Sequence, residues 1–205
     1  LSKNEIVGWF QGNMEFGPRA LGNRSILANP SSKEMQKDLN LKIKFRENFR
    51  PFAPAVLRDK TSEWFNFNDD SPYMLMVSSV KNDKLLKKNN INLHEKLLKK
   101  INEERSKIPA VTHVDNTARL QTVDSKDNNL FYNLIKTFYK ITGIPMLINT
   151  SFNIRNEPIV CTPEDSFRCF MGTSMDILVI GNFILYKNKQ NKKLLINYKN
   201  DFKLD

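Results

Sequence analysis

A chain of 205 residues with 40% hydrophobic content is long enough for one globular domain with its own core, which excludes intrinsic disorder as the default state. Its 32 Lys and Arg against 22 Asp and Glu leave a formal charge of +10, which favours anionic partners without choosing among nucleotides, nucleic acids and anionic surfaces; solvated lysines are the plainer reading of part of that excess. No apolar run approaches the roughly 20 residues that cross a bilayer, and "LSKNEIVGWF" lacks a signal peptide's charged and apolar regions, so a soluble cytoplasmic domain is expected, cut from a longer protein since position 1 is Leu.

In chain order, residues 6–11 predict a strand that leads into "GNMEFGPRALGNRSILANP". There Gly17 and Gly22 let backbone approach a ligand and Pro18 stiffens a turn, while Arg19 and Arg24 offer planar forks for phosphate or carboxylate oxygens. The alternative is a tight turn whose arginines pair with Glu15. "SSKEMQKDLNLKI" starts with a serine N-cap and predicts a helix through Met35, Leu39 and Ile43. Residues 52–57 are apolar enough for a strand, which Pro51 and Pro54 confine to an edge or an irregular segment. Further strands are predicted at 73–80, 111–114, 118–123 and 146–148. Residues 81–107, rich in Lys and Asn with a short amphipathic helical pattern, read as a surface insertion. A helix over 128–142 should end at Gly143 and set Leu130, Leu134, Ile135 and Phe138 on one side. Another helix opens at Pro163, and "DILVIGNFILYK" closes as a strand or hairpin. The expected organisation is one α/β domain over 1–187, with a polar tail at 188–205 that adds little to the core. Cys161 and Cys169 lack CxxC spacing and lie in apolar surroundings, so both are expected as buried free thiols.

Three more clusters carry chemistry. "KIKFRENFRPF" sets Lys44, Arg46 and Arg50 among Phe45, Phe49 and Phe52; on an extended segment the three cations share one face. A solvated basic strand and a nucleic-acid groove with stacking aromatics are the other readings. "INTSFNIRNEP" offers the Thr150 and Ser151 hydroxyls and the Asn149 and Asn153 amides directly after an apolar strand, where open α/β sheets place ligands, or else forms a capped turn. "VTHVDNTARLQTV" presents His113, Asp115 and Arg119, and a satisfied structural histidine competes there with metal or general-base chemistry.

Taken in this order over about residues 6–186, the phrases "MEFGPRALGNRSILA", "IKFRENFRPFAP", "HVDNTARLQTV" and "NTSFN" with "EPIV" resemble the C-terminal domain of the NodU/CmcH family of O-carbamoyltransferases. That domain is similar to the YrdC-like nucleotide-binding fold, a twisted mixed open sheet flanked by helices. The fold's KxR and SxN signature is met by Lys44, Arg46, Ser151 and Asn153. Three positions depart from the family phrases: Asn116 in "HVDGTAR", Asn156 in "GEP", and Asn13, where a basic residue is common. The first two keep a turn, because Asn tolerates left-handed backbone.

The resemblance implies an enzyme domain that uses ATP and carbamoyl phosphate to form a carbamoyl-adenylate. A separate N-terminal domain holding iron or a similar metal would then transfer the carbamoyl group to an acceptor hydroxyl. By motif position, Lys44, Arg46, Arg50, Ser151 and Asn153 bind the nucleotide, and Arg19, Arg24, Arg119 and His113 serve carbamoyl phosphate. Arg19, Lys44, Arg50 and Arg119 supply the catalytic charge, and Mg²⁺ accompanies the nucleotide, with no metal site, membrane or nucleic acid expected for this chain. Two alternatives stay open. One is a YrdC-like threonylcarbamoyl-adenylate synthase of tRNA modification, which shares KxR and SxN but not "GPRALGNRS" or "FRPFAP". The other is a non-enzymatic RNA-binding module, supported by charge and aromatic interleaving but without an RNA-binding signature.

Overall fold

The structure, a computed structural model, describes residues 1–86, 104–196 and 202. Eight strands form one open sheet: β1 Val7–Phe10, β2 Arg24–Ala28, β3 Ala53–Leu57, β4 Met76–Ser79, β5 Thr117–Val123, β6 Met146–Ser151, β7 Ile177–Ile180 and β8 Phe183–Tyr186. Their order is β4-β5-β3-β6-β2-β1-β7-β8. β1 with β7 and β3 with β5 run parallel and the remaining neighbours antiparallel, so the sheet is mixed, as expected. No helix among the described residues is long and apolar enough to cross a membrane.

Alternation along the strands builds two cores. Leu27, Leu57 and Leu147 face helix α3, Asn129–Thr142, and bury its Phe131, Ile135 and Phe138. Ile26, Val56 and Ile148 face the other layer, where Met35 of α1, Met35–Asp38, meets the following π-helical turn Leu39–Ile43 and Cys169 and Phe170 of α4, Pro163–Gly172. A further short helix, α2, spans Thr61–Trp64. Helix α3 starts where the Asn128 side chain accepts from the Phe131 N–H and stops at Gly143 in left-handed conformation, φ 75°.

Several expectations are corrected. On α3, Ile135 and Phe138 are buried and Leu134 packs against the core as expected, but the first position of the stripe is Phe131, and Leu130 is 54% exposed. Ser31 bonds back to Asn29 Oδ1 instead of capping a helix, and α1 begins after Glu34 with no side-chain cap. β3 is interior, not an edge strand. Its ladder to β5 starts at Ala55, so the N–H that Pro54 lacks falls before pairing begins on that side. Residues 111–114 are no strand, because Pro109 opens a 3₁₀ turn, Pro109–Val111, and the chain then folds back so that the His113 N–H reaches the Thr117 carbonyl. The short β2 lies inside the arginine-glycine phrase, where no strand was expected. Cys169 is buried, whereas Cys161 is exposed, and both are free.

The Lys/Asn-rich segment leaves and returns side by side, with Leu85 bridged to Ser106; the amphipathic pattern within it falls on residues 87–103, outside the described residues. In the tail, Phe202 is partly buried against the larger core.

Candidate functional site

The loop between β1 and β2 is held by one carboxylate. Glu15 Oε1 accepts the backbone N–H groups of Leu21, Asn23 and Arg24 at 2.7, 2.8 and 3.3 Å, gathering the turn around a single oxygen. Gly22 is required where it stands: its φ is +115°, and a Cβ there would lie 2.4 Å from the Phe131 ring. Arg24 is consumed by the scaffold. Its guanidinium is buried, donates to the carbonyls of Gln11, Gly12 and Asn23, and stacks 3.5 Å over the Phe10 ring. Arg19, at the tip, is exposed and faces a cleft.

The second arm follows the π-helical turn. Phe45 takes φ 47°, so the segment bends and is not the extended strand that the alternation of cations suggested. Asn40 holds this bend from beneath: its amide donates to the carbonyls of Asn48 and Arg50 and its oxygen accepts from Arg46 Nε at 2.6 Å. Arg46 also lies over Phe52, 5.0 Å from the ring centre, while Arg50 pairs with Glu47 at the surface.

The two halves of the KxR and SxN signature meet directly. Buried Lys44 Nζ donates to Ser151 O and Oγ at 2.5 and 3.2 Å and to Asn153 O and Oδ1 at 2.9 and 2.8 Å. Burial first, then Arg46, pushes this ammonium down to about 7. Asn153 continues the chain by donating to the Glu157 carbonyl, and Glu157 Oε2 accepts the Ile154 N–H.

These arms enclose a cleft of about 300 Å³ at the end of the sheet where β3 and β5 begin and β6 ends. Arg19, Arg46, Arg50 and Arg119 line it with Ser151, and among the described residues its lining contains no carboxylate. Arg119 is half-buried; desolvation and then Arg19 lower its pKa, and its Nε has no hydrogen-bond partner among the described residues. Burial and Arg50 likewise bring Arg46 down to about 10. Such guanidinium groups repel one another until an anion joins them.

Of the residues singled out in the sequence, Arg19, Arg46, Arg50, Arg119 and Ser151 therefore share the cleft, while Lys44 and Asn153 stand behind its wall, tied to Ser151. Arg24 and His113 are outside the lining. His113 bonds through Nδ1 to Thr117 Oγ1 at 2.9 Å on the hairpin entering β5, and burial lowers its pKa. Asn149 and Thr150, whose amide and hydroxyl the sequence offered in the same phrase as Ser151, also line the cleft, and so does Met74, with φ 58°, which was not singled out. Asn149 was legible: it lies two residues before Ser151 on a strand, hence on the same face. Met74 gave no signal. No group of His, Cys, Asp and Glu able to hold a metal occurs among the described residues.

Comparison with known proteins bears on this arrangement. Residues 1–187 match the family described as carbamoyltransferase C-terminus. The chain belongs to that family. It is 51% identical over 193 residues to an uncharacterized protein of Synechocystis, covering 94% of this chain and 31% of the relative. It is 41% identical over 190 residues to nodulation protein NolO of Bradyrhizobium diazoefficiens, covering 91% and 31%, and 39% identical over 172 residues to nodulation protein U of Rhizobium tropici, covering 84% and 26%. The chain thus spans a third or less of the length of these curated relatives. Within the carbamoyltransferase C-terminus family phrases, Asn116 and Asn156 adopt φ 64° and 62°, the left-handed turns that their positions demand.

Proposed function

We propose that this carbamoyltransferase C-terminal domain binds ATP and carbamoyl phosphate in the arginine cleft and forms a carbamoyl-adenylate, which the remainder of a longer cytoplasmic enzyme transfers to an acceptor hydroxyl. The observation that carries the reading is the convergence of four guanidinium groups on one cleft whose lining, among the described residues, holds no carboxylate. Water releases phosphate from carbamoyl phosphate to leave carbamate. A carbamate oxygen then bonds to the α-phosphorus of ATP as the bond to the pyrophosphate oxygen breaks.

Both steps build negative charge on departing oxygens, which fixed cations in a partly desolvated cleft stabilise without reorganising. Arg46 and Arg50 with the Ser151 hydroxyl serve the triphosphate; Arg19 and Arg119 serve the smaller acid. Lys44 acts through Ser151 and Asn153, which it positions. Among the described residues the lining supplies cations and no carboxylate, so Mg²⁺ would enter as part of the nucleotide, held by phosphate oxygens and water. Iron or a similar metal belongs, on this reading, to the transfer domain.

Calorimetric titration with a nonhydrolysable ATP analogue and with random RNA, at about 150 mM salt, tests it. Nucleotide binding should persist while RNA binding fades steeply with salt, and Arg46→Ala should weaken the ATP analogue by about tenfold or more, the loss of a charged hydrogen bond. Salt-resistant RNA binding with no nucleotide binding overturns the assignment.

A further inference from the structure

Two buried polar atoms in the cleft lack partners among the described residues, and they are of opposite kind: Asn149 Oδ1, an acceptor, and Arg119 Nε, a donor. The orientation of the Asn149 amide is set by a relay. Gln121 Nε2 donates to the Leu21 carbonyl at 2.8 Å, which turns Gln121 Oε1 toward Asn149; Asn149 Nδ2 donates to that oxygen at 2.7 Å and to the Ala20 carbonyl at 3.0 Å. Both amide hydrogens are thereby used inside the protein, and the oxygen is left buried and unpartnered on a residue that lines the cleft. Flipping either amide would set oxygen against carbonyl oxygen.

The sheet explains the spacing. Asn149 pairs with Ala53 across β3 and β6, and Gln121 pairs with Ala55 across β3 and β5, so two small side chains let the amides meet over the intervening strand. Arg119, two residues before Gln121, comes level with Ala53 from the other side. Asn149 and Arg119 therefore flank Ala53, their backbones roughly 10 Å apart, or two strand spacings. A ligand group over Ala53 that satisfies both atoms needs an N–H donor beside a carbonyl acceptor.

We infer that Asn149 and Arg119 recognise the amide end of the substrate, Asn149 Oδ1 accepting the carbamoyl N–H and Arg119 Nε donating to its carbonyl oxygen, so that this pair selects a carbamoyl group over an acyl group of the same shape. The inference rests on the proposed reading of the cleft as a phosphate and carbamoyl site. The same amide end is present in carbamoyl phosphate, carbamate and carbamoyl-adenylate, so one pair of contacts serves every stage. An acetyl group puts a methyl against Asn149 Oδ1 and leaves that oxygen buried without a partner.

Two stable phosphonates of nearly equal shape test it: phosphonoacetamide, which ends in an amide, and 2-oxopropylphosphonate, which ends in a methyl ketone. Titrated into the wild-type chain, phosphonoacetamide should bind about tenfold more tightly, within the range for leaving a buried acceptor unsatisfied. Asn149→Ala should bring the ratio close to one while 2-oxopropylphosphonate binds within about threefold of wild type. Gln121→Ala, which loosens the relay from outside the cleft lining, should lower the ratio too and serves if Asn149→Ala does not fold. Equal binding of both phosphonates by the wild type, or an unchanged ratio in folded Asn149→Ala, overturns the inference. Pyrophosphate distinguishes the levels: if it binds while the two phosphonates bind equally, amide recognition alone fails, and if none of the three binds, the phosphate reading fails with it.

Discussion

Lys44 donates to four oxygens of Ser151 and Asn153 from a site where burial and Arg46 bring its ammonium down to about 7. In the unfolded chain the same group titrates near ~10.4. Because the folded value is depressed, the unfolded chain binds the extra proton between these limits, and Lys44 makes stability rise with pH from about 7 toward ~10. Below about 7 both states are charged and the cost of burying the ammonium is fully present. Lys44→Met should remove up to ~1.4 kcal/mol per pH unit of that slope. Urea unfolding of both proteins from pH 6 to 9.5 reads the difference, which also cancels Lys187, a half-buried lysine that burial lowers to about 8. Parallel pH profiles for the two proteins would mean that Lys44 keeps its proton throughout. Arg24 teaches the converse at this scale. A residue with the right chemistry for an anion site is spent on three backbone carbonyls, and nothing in its sequence neighbourhood distinguishes it from Arg19.

Helix α4 shows how far local signals reach. Thr162 Oγ1 accepts from the Asp165 N–H, Asp165 returns the bond to the Thr162 N–H, and Pro163 opens the first turn. Bonds to the carboxylate, from the Thr162 N–H first and then from the Thr162 side chain and the Cys161 N–H, hold the Asp165 carboxyl below its ordinary value. Thr162→Ala should therefore cost about 1 kcal/mol in chemical denaturation, with Thr162→Ser restoring most of it. A loss near zero would show that packing of Cys169 and Phe170 against the sheet fixes the helix start by itself. Helix α3 and the β7–β8 hairpin were equally legible, because apolar spacing and terminal glycines carry their boundaries. Residues 111–114 and β3 were not. Val111 is apolar like a strand residue yet sits in a proline-opened turn, and Pro54 marks an edge only if its N–H would have been needed.

At the scale of the whole molecule, a chain of formal charge +10 brings four arginines to one cleft, where burial and then Arg50 lower Arg46, and burial and then Arg19 lower Arg119. Filling the cleft with an anion should stabilise the fold. Pyrophosphate at a hundred times its Kd should add about 2.7 kcal/mol, or roughly 5–10 °C in Tm for a chain of this size. Sodium chloride at matched ionic strength should do much less, and differential scanning calorimetry separates the two. Equal shifts would reduce the effect to general screening. The cleft draws on distant parts of the chain, Arg19 before β2, Arg46 and Arg50 before β3, Arg119 on β5 and Ser151 at the end of β6, so its charge is a property of the sheet order.

What the sequence by itself determined was local and chemical: an α/β pattern, the long helix with its caps, asparagines where left-handed turns were needed, and four phrases whose residue types suit anions. Each of these depends on spacing of a few residues, which the chain carries in itself. Tertiary structure alone decided which cations share a cleft, because that follows from β3 lying between β5 and β6 rather than from any linear pattern. It sent Arg24 into the scaffold and Lys44 behind Ser151. It also left the Asn149 oxygen without a partner by tying the amide nitrogen to Gln121 and Ala20, residues 28 and 129 positions away, distances over which no sequence periodicity operates.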